Sequence, residues 1–450
     1  MKLDDEEKKK IDKQSGENLG KNDRGWNKLF EKYDILENIQ RNGEFFIKAE
    51  QIKEFREPRL MTKFDHKINL PKIFRVNKLT ILPVTRGEYV VSSFKAYKNL
   101  PKFNLEDNDS EIEKIFAPTN IQSLTPQNLR SETMALNYAN LCGMLDKFLD
   151  DEQLVPTVSG RMGGGSFEFN IARSGPWRRK KVKVKNPQIE IDAAYEGVNF
   201  LTLFEAKRDN IADDFLIRQL YYPFRTWRER VTKPIKTVFM VYANGNFDFY
   251  QYGFGDPLYY NSLYLIKKKR FIILTEITLQ DIQRILREVQ IEPESPNIPF
   301  PQADRMSRVV NLLEILNKRE LTSQEITEQY AFTSRQTYYY TSAGRYLGLV
   351  TKYKNDDKKT LFKLSRLGKQ MMAQGYSERQ LTIVKQVLKH SVFNEILQRH
   401  LVSGVMPARQ DVVELMKNTR LYKINSDETY DRRARTVIGW INWILQIVKD

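Results

Sequence analysis

Two adjacent segments near the middle of the chain alternate between apolar and polar residues with the period of two that β-strands show. Residues 189–196 read IEIDAAYE, residues 200–207 read FLTLFEAK, and a short GVN turn separates them. Alternation along the first strand places Glu190 and Asp192 on one face, opposite the two isoleucines. The sequence therefore predicts a pair of adjacent strands.

The second of these strands breaks the binary pattern of an ordinary strand. Leu201, Leu203, Glu205 and Lys207 all point to one side, so an apolar face ends in a carboxylate and an amine. Local sequence rules fail most often at functional sites. This strand pair is therefore the first candidate site.

Further elements are predicted on both sides of the strand pair. Helical periodicity covers residues 125–151 before it and residues 208–231 after it. Residues 235–254 predict a hairpin with its turn at Asn244–Gly245, and one more strand leads to a helix over 280–289. The predicted order is a helix, strands carrying the acids, a helix, and further strands.

The N-terminal part begins with a charged segment that has little to bury and predicts a mobile arm. Helices are predicted over 26–39, 47–55 and 70–77, and a hairpin over 79–97. Short helices followed by a hairpin resemble a winged helix. An unspecific α+β lobe explains the same pattern.

A Pro-rich segment marks a boundary, and a second helical region follows it. Helices are predicted over 304–320, 321–330 and 334–350, followed by a β-wing over 351–365. This order resembles a winged helix-turn-helix domain. The residues expected to contact DNA open its third helix, and they are Arg335, Gln336, Tyr338 and Tyr339. Winged helices also mediate protein contacts, so that alternative stays open.

The tail resembles a partial repeat of this plan. Its helices are predicted over 378–401, 407–417 and 426–448, and Arg432 and Arg433 lie on the first turns of the last one. The predicted domains are an arm (1–24), an N-terminal helical, winged-helix-like domain (25–104), a catalytic domain (105–291), a linker (292–302), a winged helix-turn-helix domain (303–372) and a second helical winged-helix-like domain (378–450).

Composition narrows the class of partner. The 450 residues carry a formal net charge of +16, which favours a polyanion, and nucleic acid is the usual one. A basic balance alone also suits an anionic membrane surface. No apolar run approaches a membrane span and the N-terminus lacks a signal-peptide core, so we expect a cytoplasmic protein.

The chain has few cysteine and histidine residues that could bind a metal ion such as zinc. The single cysteine excludes intrachain disulfides and multi-Cys zinc sites. The three histidines, His66, His390 and His400, lie too far apart or at the wrong spacing for a two-His zinc motif. If the chain cuts a phosphodiester, carboxylates must carry the metal.

The strand pair offers such carboxylates. Asp192 and Glu205 come from neighbouring strands and can hold a divalent cation through oxygen, leaving room for water and a phosphate. A cation held there polarises the phosphate and lowers the pKa of a bound water. Lys207 is placed to orient that water or to offset developing charge. The alternative is a solvated strand on which Glu205 and Lys207 simply pair.

Asp192, twelve intervening residues and then Glu205-x-Lys207 form the D-(x)n-E-x-K pattern, and the chain resembles the PD-(D/E)XK nuclease superfamily. A proline normally precedes the aspartate there, whereas Pro187 lies several residues upstream here. The resemblance implies an α/β (α+β) restriction-endonuclease-like core, with flanking helical winged helix-turn-helix domains. It also implies that Gln219, on the following helix, supports the site.

The layout as a whole resembles type II restriction endonucleases. That resemblance implies Mg²⁺-dependent cleavage of double-stranded DNA at a short site, usually by a homodimer, with a cognate DNA methyltransferase as functional partner. Asp192 and Glu205 would bind the metal, and Lys207 would act on the attacking water. Glu132, at the start of the preceding helix, and Glu190 are possible additional acids.

Basic residues beside the strand pair suit a phosphate backbone. Arg161 lies in a Gly-rich segment that allows close backbone approach, and Arg178, Arg179 and Lys180 open a run of six basic residues. A solvated basic face is the alternative for this run. Two other function classes also stay open. They are a non-catalytic winged-helix DNA-binding regulator, and a nuclease of other purpose, such as repair, phage defence or RNA cleavage.

Overall fold

The computed structural model describes residues 20–103, 111–118, 120–126, 129, 131–175, 178–208, 213–243, 245–274, 276–329, 334–356, 359–419, 421–422, 424 and 426–449. The protein is a mixed α/β chain built around a central mixed sheet. We call residues 20–103 the N-terminal lobe, residues 111–274 the sheet lobe and residues 276–449 the C-terminal lobe. Most of the predicted arm lies outside the described residues, but the first helix begins within it.

The N-terminal lobe contains short helices around a small sheet. Its elements are α1 (Lys21–Lys32), α2 (Ile35–Asn42), β1 (Phe45–Lys48), α3 (Ala49–Lys53), α4 (Pro58–Thr62), α5 (Lys72–Val76), β2 (Thr80–Pro83), β3 (Glu88–Ser92) and β4 (Tyr97–Asn99). β1, β3 and β2 form an antiparallel sheet in that order. The helix predicted over 26–39 is two helices, because Asp34 takes a left-handed backbone conformation between them.

The sheet lobe contains most of the strands. Its elements are β5 (Ile112–Phe116), α6 (Glu132–Leu141), α7 (Met144–Leu149), β6 (Val155–Gly163), β7 (Ser166–Ala172), β8 (Arg179–Lys185), β9 (Gln188–Glu196), β10 (Leu201–Arg208), β11 (Asp214–Leu216), α8 (Arg218–Arg228), β12 (Ile235–Ala243), β13 (Asn246–Phe254) and β14 (Leu263–Leu274). The strand pair and the hairpin predicted from sequence are confirmed, although Asn244 of the turn lies outside the described residues.

Seven strands form the central sheet in the order β5-β14-β13-β12-β10-β9-β6. β10 runs parallel to β12, β14 runs parallel to β5, and the other neighbours are antiparallel. α6 and α7 cover one face of the sheet, where Leu136 and Phe148 lie in one core with Phe204. α8 covers the other face, where Tyr222 packs in one core with Leu203. Residues at the end of β10 are therefore enclosed on both sides.

Two predicted helices differ from the observed elements in this lobe. The helix over 125–151 divides at Gly143, whose positive φ of 70° ends α6 and starts α7. The helix over 208–231 begins only at Arg218. The residues just before it form β11 instead, because they pair with β4 of the N-terminal lobe.

The C-terminal lobe is mainly helical. Its elements are α9 (Leu279–Glu288), α10 (Met306–Leu316), β15 (Leu321–Thr322), α11 (Ser323–Gln329), α12 (Ser334–Tyr346), β16 (Val350–Lys354), β17 (Thr360–Leu364), α13 (Arg366–Ala373), α14 (Tyr376–Leu388), α15 (Ser391–Ser403), α16 (Arg409–Lys417) and α17 (Asp427–Gln446). One continuous core runs from Ile277 to Val448. α9 packs into this core although it precedes the Pro-rich segment.

The helix predicted over 378–401 is two helices. His390 has an extended backbone between α14 and α15, and its Nδ1 lies 3.2 Å from the Glu294 carboxylate. The hydroxyl of Tyr346 donates to the same carboxylate at 2.9 Å, and its ring stacks on the His390 imidazole. These contacts come from remote parts of the chain and lie at the point where the predicted helix is interrupted. Among the described helices, none combines the length and the apolar composition needed to cross a bilayer.

Candidate active site

The two strands that carry the predicted acids separate at the point where the acids lie. The antiparallel ladder between β9 and β10 ends with the pair Ala193–Phe204, whereas β10 stays paired with β12 as far as Arg208. Beyond Phe204 the edge of β10 that faces β9 has therefore lost its ladder. This opening creates room for side chains between two neighbouring strands.

β9 carries an irregularity at the same point. Val158 and Gly160 of β6 pair with Ala194 and Ile191 of β9, so Asp192 and Ala193 lie opposite a single residue. This is the arrangement of a β-bulge, which interrupts strict alternation and re-aims side chains. Ile191 and Ala193 accordingly pack in different cores on opposite faces of the sheet.

The Asp192 carboxylate bridges the opening. Its Oδ2 accepts a hydrogen bond from the backbone N–H of Ala206 at 2.7 Å, in place of a ladder partner. Burial raises the pKa of Asp192, and the nearby Glu132 and Glu190 raise it further, while Lys207 and the Ala206 N–H act in the opposite direction. Asp192 is thus an acid held at a strand opening with its charge incompletely compensated.

Glu205 and Lys207 lie on the face of β10 that α8 covers. Their side chains are 8% and 15% exposed, and the Lys207 Nζ lies 2.5 Å from the Glu205 Oε1. Burial, with a smaller contribution from Asp192, raises the pKa of Glu205 to about 8 although Lys207 acts to lower it. Burial acts against the charge of Lys207, yet Glu205, Asp65 and Asp192 together raise the pKa of this amine.

Gln219 completes this arrangement from α8. It is buried, and its Nε2 donates a hydrogen bond to the Glu205 carboxylate. Its Oε1 is also buried and has no hydrogen-bond partner among the described residues. The structure therefore brings Asp192, Glu205, Lys207 and Gln219 together, as the sequence predicted.

Asp65 is a member of this group that sequence reasoning missed. It lies in a loop of the N-terminal lobe, and its Oδ2 is 3.4 Å from the Lys207 Nζ. Burial would raise the pKa of Asp65, but Lys207, Lys63 and Arg218 hold it below its usual value. No local pattern in the sequence around Asp65 predicts a site, because its partner lies far along the chain.

The two possible additional acids differ in position. Glu132 opens α6, whose N-cap Ser131 accepts from the Met134 N–H, and its charge is close enough to raise the pKa of Asp192. Glu190 is exposed and forms an ion pair with Arg161 at 3.2 Å. Both acids are thus close enough to raise the pKa of Asp192, but Glu190 is exposed and already paired with Arg161.

The acids suit a cation that keeps much of its water. Within the described residues, no group of three or more His, Cys, Asp or Glu side chains lies close enough to enclose a metal ion. Magnesium commonly binds through one or two carboxylates together with waters and substrate phosphate. Buried Glu205, nearby Asp192 and the unpartnered Gln219 oxygen fit such an open oxygen site.

Other polar residues of α8 have structural roles. The Tyr222 hydroxyl donates to the Pro83 carbonyl at 3.0 Å. The buried Arg225 guanidinium donates to the carbonyls of Glu168 and Pro257 at 2.9 and 3.2 Å. These side chains tie α8 to its surroundings, so the helix holds Gln219 at a defined position.

Some of the basic residues that were predicted to contact DNA beside the strand pair already have partners within the protein. Lys180 forms an ion pair with Glu44 at 2.6 Å, and Arg179 lies over the Tyr259 ring at 4.8 Å. Arg178 is exposed, and Arg161 is about half exposed despite its pair with Glu190. β7 and β8 pair as a hairpin that presents Arg178 and Arg179 at one end.

The predicted DNA-contacting residues of the C-terminal lobe lie on two helices. Arg335 stacks on Tyr339 and donates to its hydroxyl, and Tyr338 is about half exposed. Arg433 of α17 is buried near Tyr338 and Tyr339, and burial lowers the pKa of its guanidinium. Gln336 and Arg432 are partly exposed. The structure thus brings the starts of α12 and α17 close together.

Family models match three segments of the chain. Each is described as a domain of unknown function: DUF6996 over residues 23–91, DUF6997 over residues 92–272 and DUF7226 over residues 308–449. No curated protein and no solved structure matches the chain. The second match spans the central sheet and every predicted catalytic residue, and the third covers most of the C-terminal lobe.

Proposed function

We propose that this protein is a Mg²⁺-dependent endonuclease that hydrolyses double-stranded DNA with a catalytic centre of the PD-(D/E)XK kind. The observation that carries the proposal is the meeting of Asp192, Glu205 and Lys207 at the opening between β9 and β10, with Gln219 bonded to Glu205. Two acids and an amine at a strand opening are groups suited to metal-assisted hydrolysis of a phosphodiester. A solvated strand would not bury them.

Each residue has a role that follows from its contacts. Asp192 and Glu205 would hold a magnesium ion, which when bound polarises the phosphate and acidifies a water. Lys207 orients the attacking water or offsets charge that builds on the phosphate. Gln219 keeps the Glu205 carboxylate in one orientation through its hydrogen bond.

Duplex DNA is the substrate that charge and architecture favour. The net charge of +16 suits a polyanion. In the C-terminal lobe, α10, α11 and α12 are followed by the antiparallel pair β16–β17, an order similar to that of winged helix-turn-helix domains. Arg335, Gln336 and Tyr338 at the start of α12 are then placed to reach a groove, and Arg432 to reach a backbone phosphate.

The biological setting that fits best is a type II restriction enzyme. Such an enzyme cuts both strands at a short site, usually as a homodimer in the cytoplasm, and a cognate methyltransferase protects the host DNA. The open oxygen site and the helical flanks are compatible with that role. A repair or phage-defence nuclease that has no methyltransferase partner is the alternative setting.

Digestion of phage DNA with and without Mg²⁺ tests the proposed function. We expect the wild-type chain to cut only with Mg²⁺, and Asp192→Ala and Lys207→Ala to abolish cutting while duplex binding survives. Loss of such groups commonly costs roughly 10²-fold or more in rate. Glu196→Ala is the matched control on the same strand, because Glu196 pairs with Lys233 at the far end of β9.

The outcomes separate the function classes. Discrete bands indicate a site-specific enzyme, whereas a smear indicates a nuclease without site preference. Intact DNA that is nevertheless bound favours a non-catalytic winged-helix regulator and contradicts the nuclease. Loss of binding together with cutting in both active-site variants, but not in Glu196→Ala, would assign Asp192 and Lys207 a structural role.

A further inference from the structure

The loop that carries Asp65 is fixed against the sheet lobe by its backbone. The Leu216 N–H donates to the Asp65 carbonyl at 3.0 Å, and the His66 Nδ1 lies 2.5 Å from the Asp214 carbonyl. The Lys67 N–H donates to the Asp214 carboxylate at 3.3 Å. Asp65 is therefore held at β11, immediately before α8, by its own carbonyl and by the two residues that follow it.

The Asp65 side chain is directed into the candidate active site. Its Oδ2 lies 3.4 Å from the Lys207 Nζ, and the two side chains are 18% and 15% exposed. The Asp65 Oδ1 is buried and has no hydrogen-bond partner in the part of the chain that the structure describes. A surface ion pair would show neither this burial nor an unused oxygen.

Lys207 thus has two carboxylate partners, which come from different lobes of the protein. Glu205 contacts it from the same strand at 2.5 Å, and Asp65 contacts it from the N-terminal lobe. A cation held by Glu205 would draw that carboxylate away from the amine. Asp65 is then the acid that remains to keep Lys207 charged and in place.

Positively charged groups around Asp65 support its role as a carboxylate partner of Lys207. Lys63, Arg218 and His66 all stabilise its negative charge. Asp65 is therefore placed beside Lys207 as a counter-charge to the amine. The absence of a three-acid cluster among the described residues agrees with this division of roles.

We propose that Asp65 is a positioning residue of the catalytic centre, through which the N-terminal lobe holds Lys207 beside the water that attacks the scissile phosphate. The inference rests on the proposed nuclease function and extends it to a residue outside the D-(x)n-E-x-K pattern. The catalytic unit then comprises the N-terminal lobe as well as the sheet lobe.

The test compares Asp65→Asn with Asp214→Asn in the full-length protein. Both changes remove a charge from the same junction, but the side-chain oxygen that remains in Asp214→Asn can still accept from the Lys67 N–H. Among the described residues, the ion-pair partners of Lys207 are Asp65 and Glu205, whereas Asp214 pairs with His66. We expect Asp65→Asn to lower kcat for Mg²⁺-dependent plasmid cleavage by roughly 10- to 100-fold with KM nearly unchanged. Asp214→Asn should stay within about twofold of wild type in kcat, and Asp65→Glu should recover part of the loss.

A second measurement does not depend on cleavage. Competitive acetylation of the metal-free protein, read by mass spectrometry, reports how far the Lys207 amine is held by its partners. Removing an opposite charge should raise the Lys207 acetylation rate in Asp65→Asn by about tenfold, and Asp214→Asn should leave it unchanged. Asp65→Ser provides the same comparison if Asp65→Asn fails to fold.

Three results would overturn the inference. They are wild-type kcat in Asp65→Asn, equal losses in Asp65→Asn and Asp214→Asn that follow a fall in melting temperature, and unchanged Lys207 acetylation. A wild-type chain that never cleaves DNA would overturn the nuclease function and the catalytic role of Asp65 together. Faster acetylation in Asp65→Asn would even then identify Asp65 as the partner that holds Lys207.

Discussion

At the scale of single residues, the main feature of the candidate site is how charge is distributed among its buried side chains. The carboxylates of Glu205, Asp192 and Asp65 all interact electrostatically with the Lys207 amine. Their surroundings nevertheless raise the pKa of Glu205 and Asp192 and lower that of Asp65. Asp65 is held ionised, whereas burial favours the protonated form of Glu205. Pairs of acids separated in this way are a common sign of acid–base or metal chemistry.

The raised pKa of Glu205 predicts how the stability of the metal-free protein depends on pH. Between its ordinary value of 4.5 and about 8, the folded chain retains a proton that the unfolded chain releases. The free energy of unfolding therefore falls as pH rises through this window, by an amount on the order of a few kcal/mol from Glu205. Urea unfolding in EDTA at pH 5 and pH 9 measures the change.

Glu205→Gln is the matched variant for this measurement. It keeps the shape and the hydrogen-bonding groups but does not titrate, so its stability should fall less between the two pH values. Mg²⁺ should reduce the fall in wild type, because a bound cation favours the ionised carboxylate. An identical pH dependence in wild type and Glu205→Gln would contradict the assignment of the proton to Glu205.

At the scale of elements, close approaches between helices and chain segments decide the packing. In α17, Gly439 lies directly against the backbone of Asp304, so a Cβ at that position would overlap the Asp304 carbonyl oxygen. Next to it, the Trp440 Nε1 donates to the Ala303 carbonyl at 2.7 Å. The segment before α10 is therefore seated on α17 without intervening side chains.

This approach predicts a cost for the smallest possible substitution. We expect Gly439→Ala to lower the free energy of unfolding by about 1–3 kcal/mol, because the obstructing atom belongs to the backbone and cannot move aside. The helix-propensity gain of about 0.5–1 kcal/mol offsets only part of this cost. Equilibrium urea unfolding measures the difference.

Gly87→Ala is the control for this change. A Cβ at Gly87 would meet nothing within 4 Å, so its stability should stay within about 0.5 kcal/mol of wild type. If Gly439→Ala proved as stable as Gly87→Ala, the close contact between α17 and the Asp304 segment would be wrong.

At the scale of the whole molecule, both flanking lobes contact the end of the same strand. Lys207 of β10 pairs with Asp65 of the N-terminal lobe, and the next residue, Arg208, pairs with Glu314 of α10 at 2.8 Å. Arg379 of α14 reaches the same Glu314 carboxylate at 3.9 Å. Both flanking lobes are thus connected by ion pairs to the strand that carries the candidate catalytic residues.

The net charge predicts the behaviour of DNA binding. A chain of charge +16 that neutralises roughly 6–10 phosphates should lose about 10³- to 10⁵-fold in duplex affinity between 50 and 200 mM salt. Fluorescence anisotropy with a labelled duplex in Ca²⁺, over a range of KCl concentrations, measures the slope. Binding that does not respond to salt would contradict a phosphate-dominated interface, and heparin should compete at low salt.

Much of the sheet and the acid–amine pair were predictable from sequence because their signals are local. Strand alternation over residues 189–196 and 200–207, and the Asn-Gly hairpin that follows, depend on neighbours within a few positions. Glu205 and Lys207 share a face because of the period of a single strand. No contact with a remote part of the chain is needed to place them together.

Only the tertiary structure decided the features that depend on remote partners. The bulge that re-aims Asp192 requires β6 alongside β9, and the His390 side chain at the break between α14 and α15 meets Glu294 and Tyr346 from remote parts of the chain. The arrival of Asp65 at Lys207 requires the whole N-terminal lobe to dock on β11. Periodicity along a chain records which side of an element is apolar, whereas the identity of the residue that meets that side is set by packing in three dimensions.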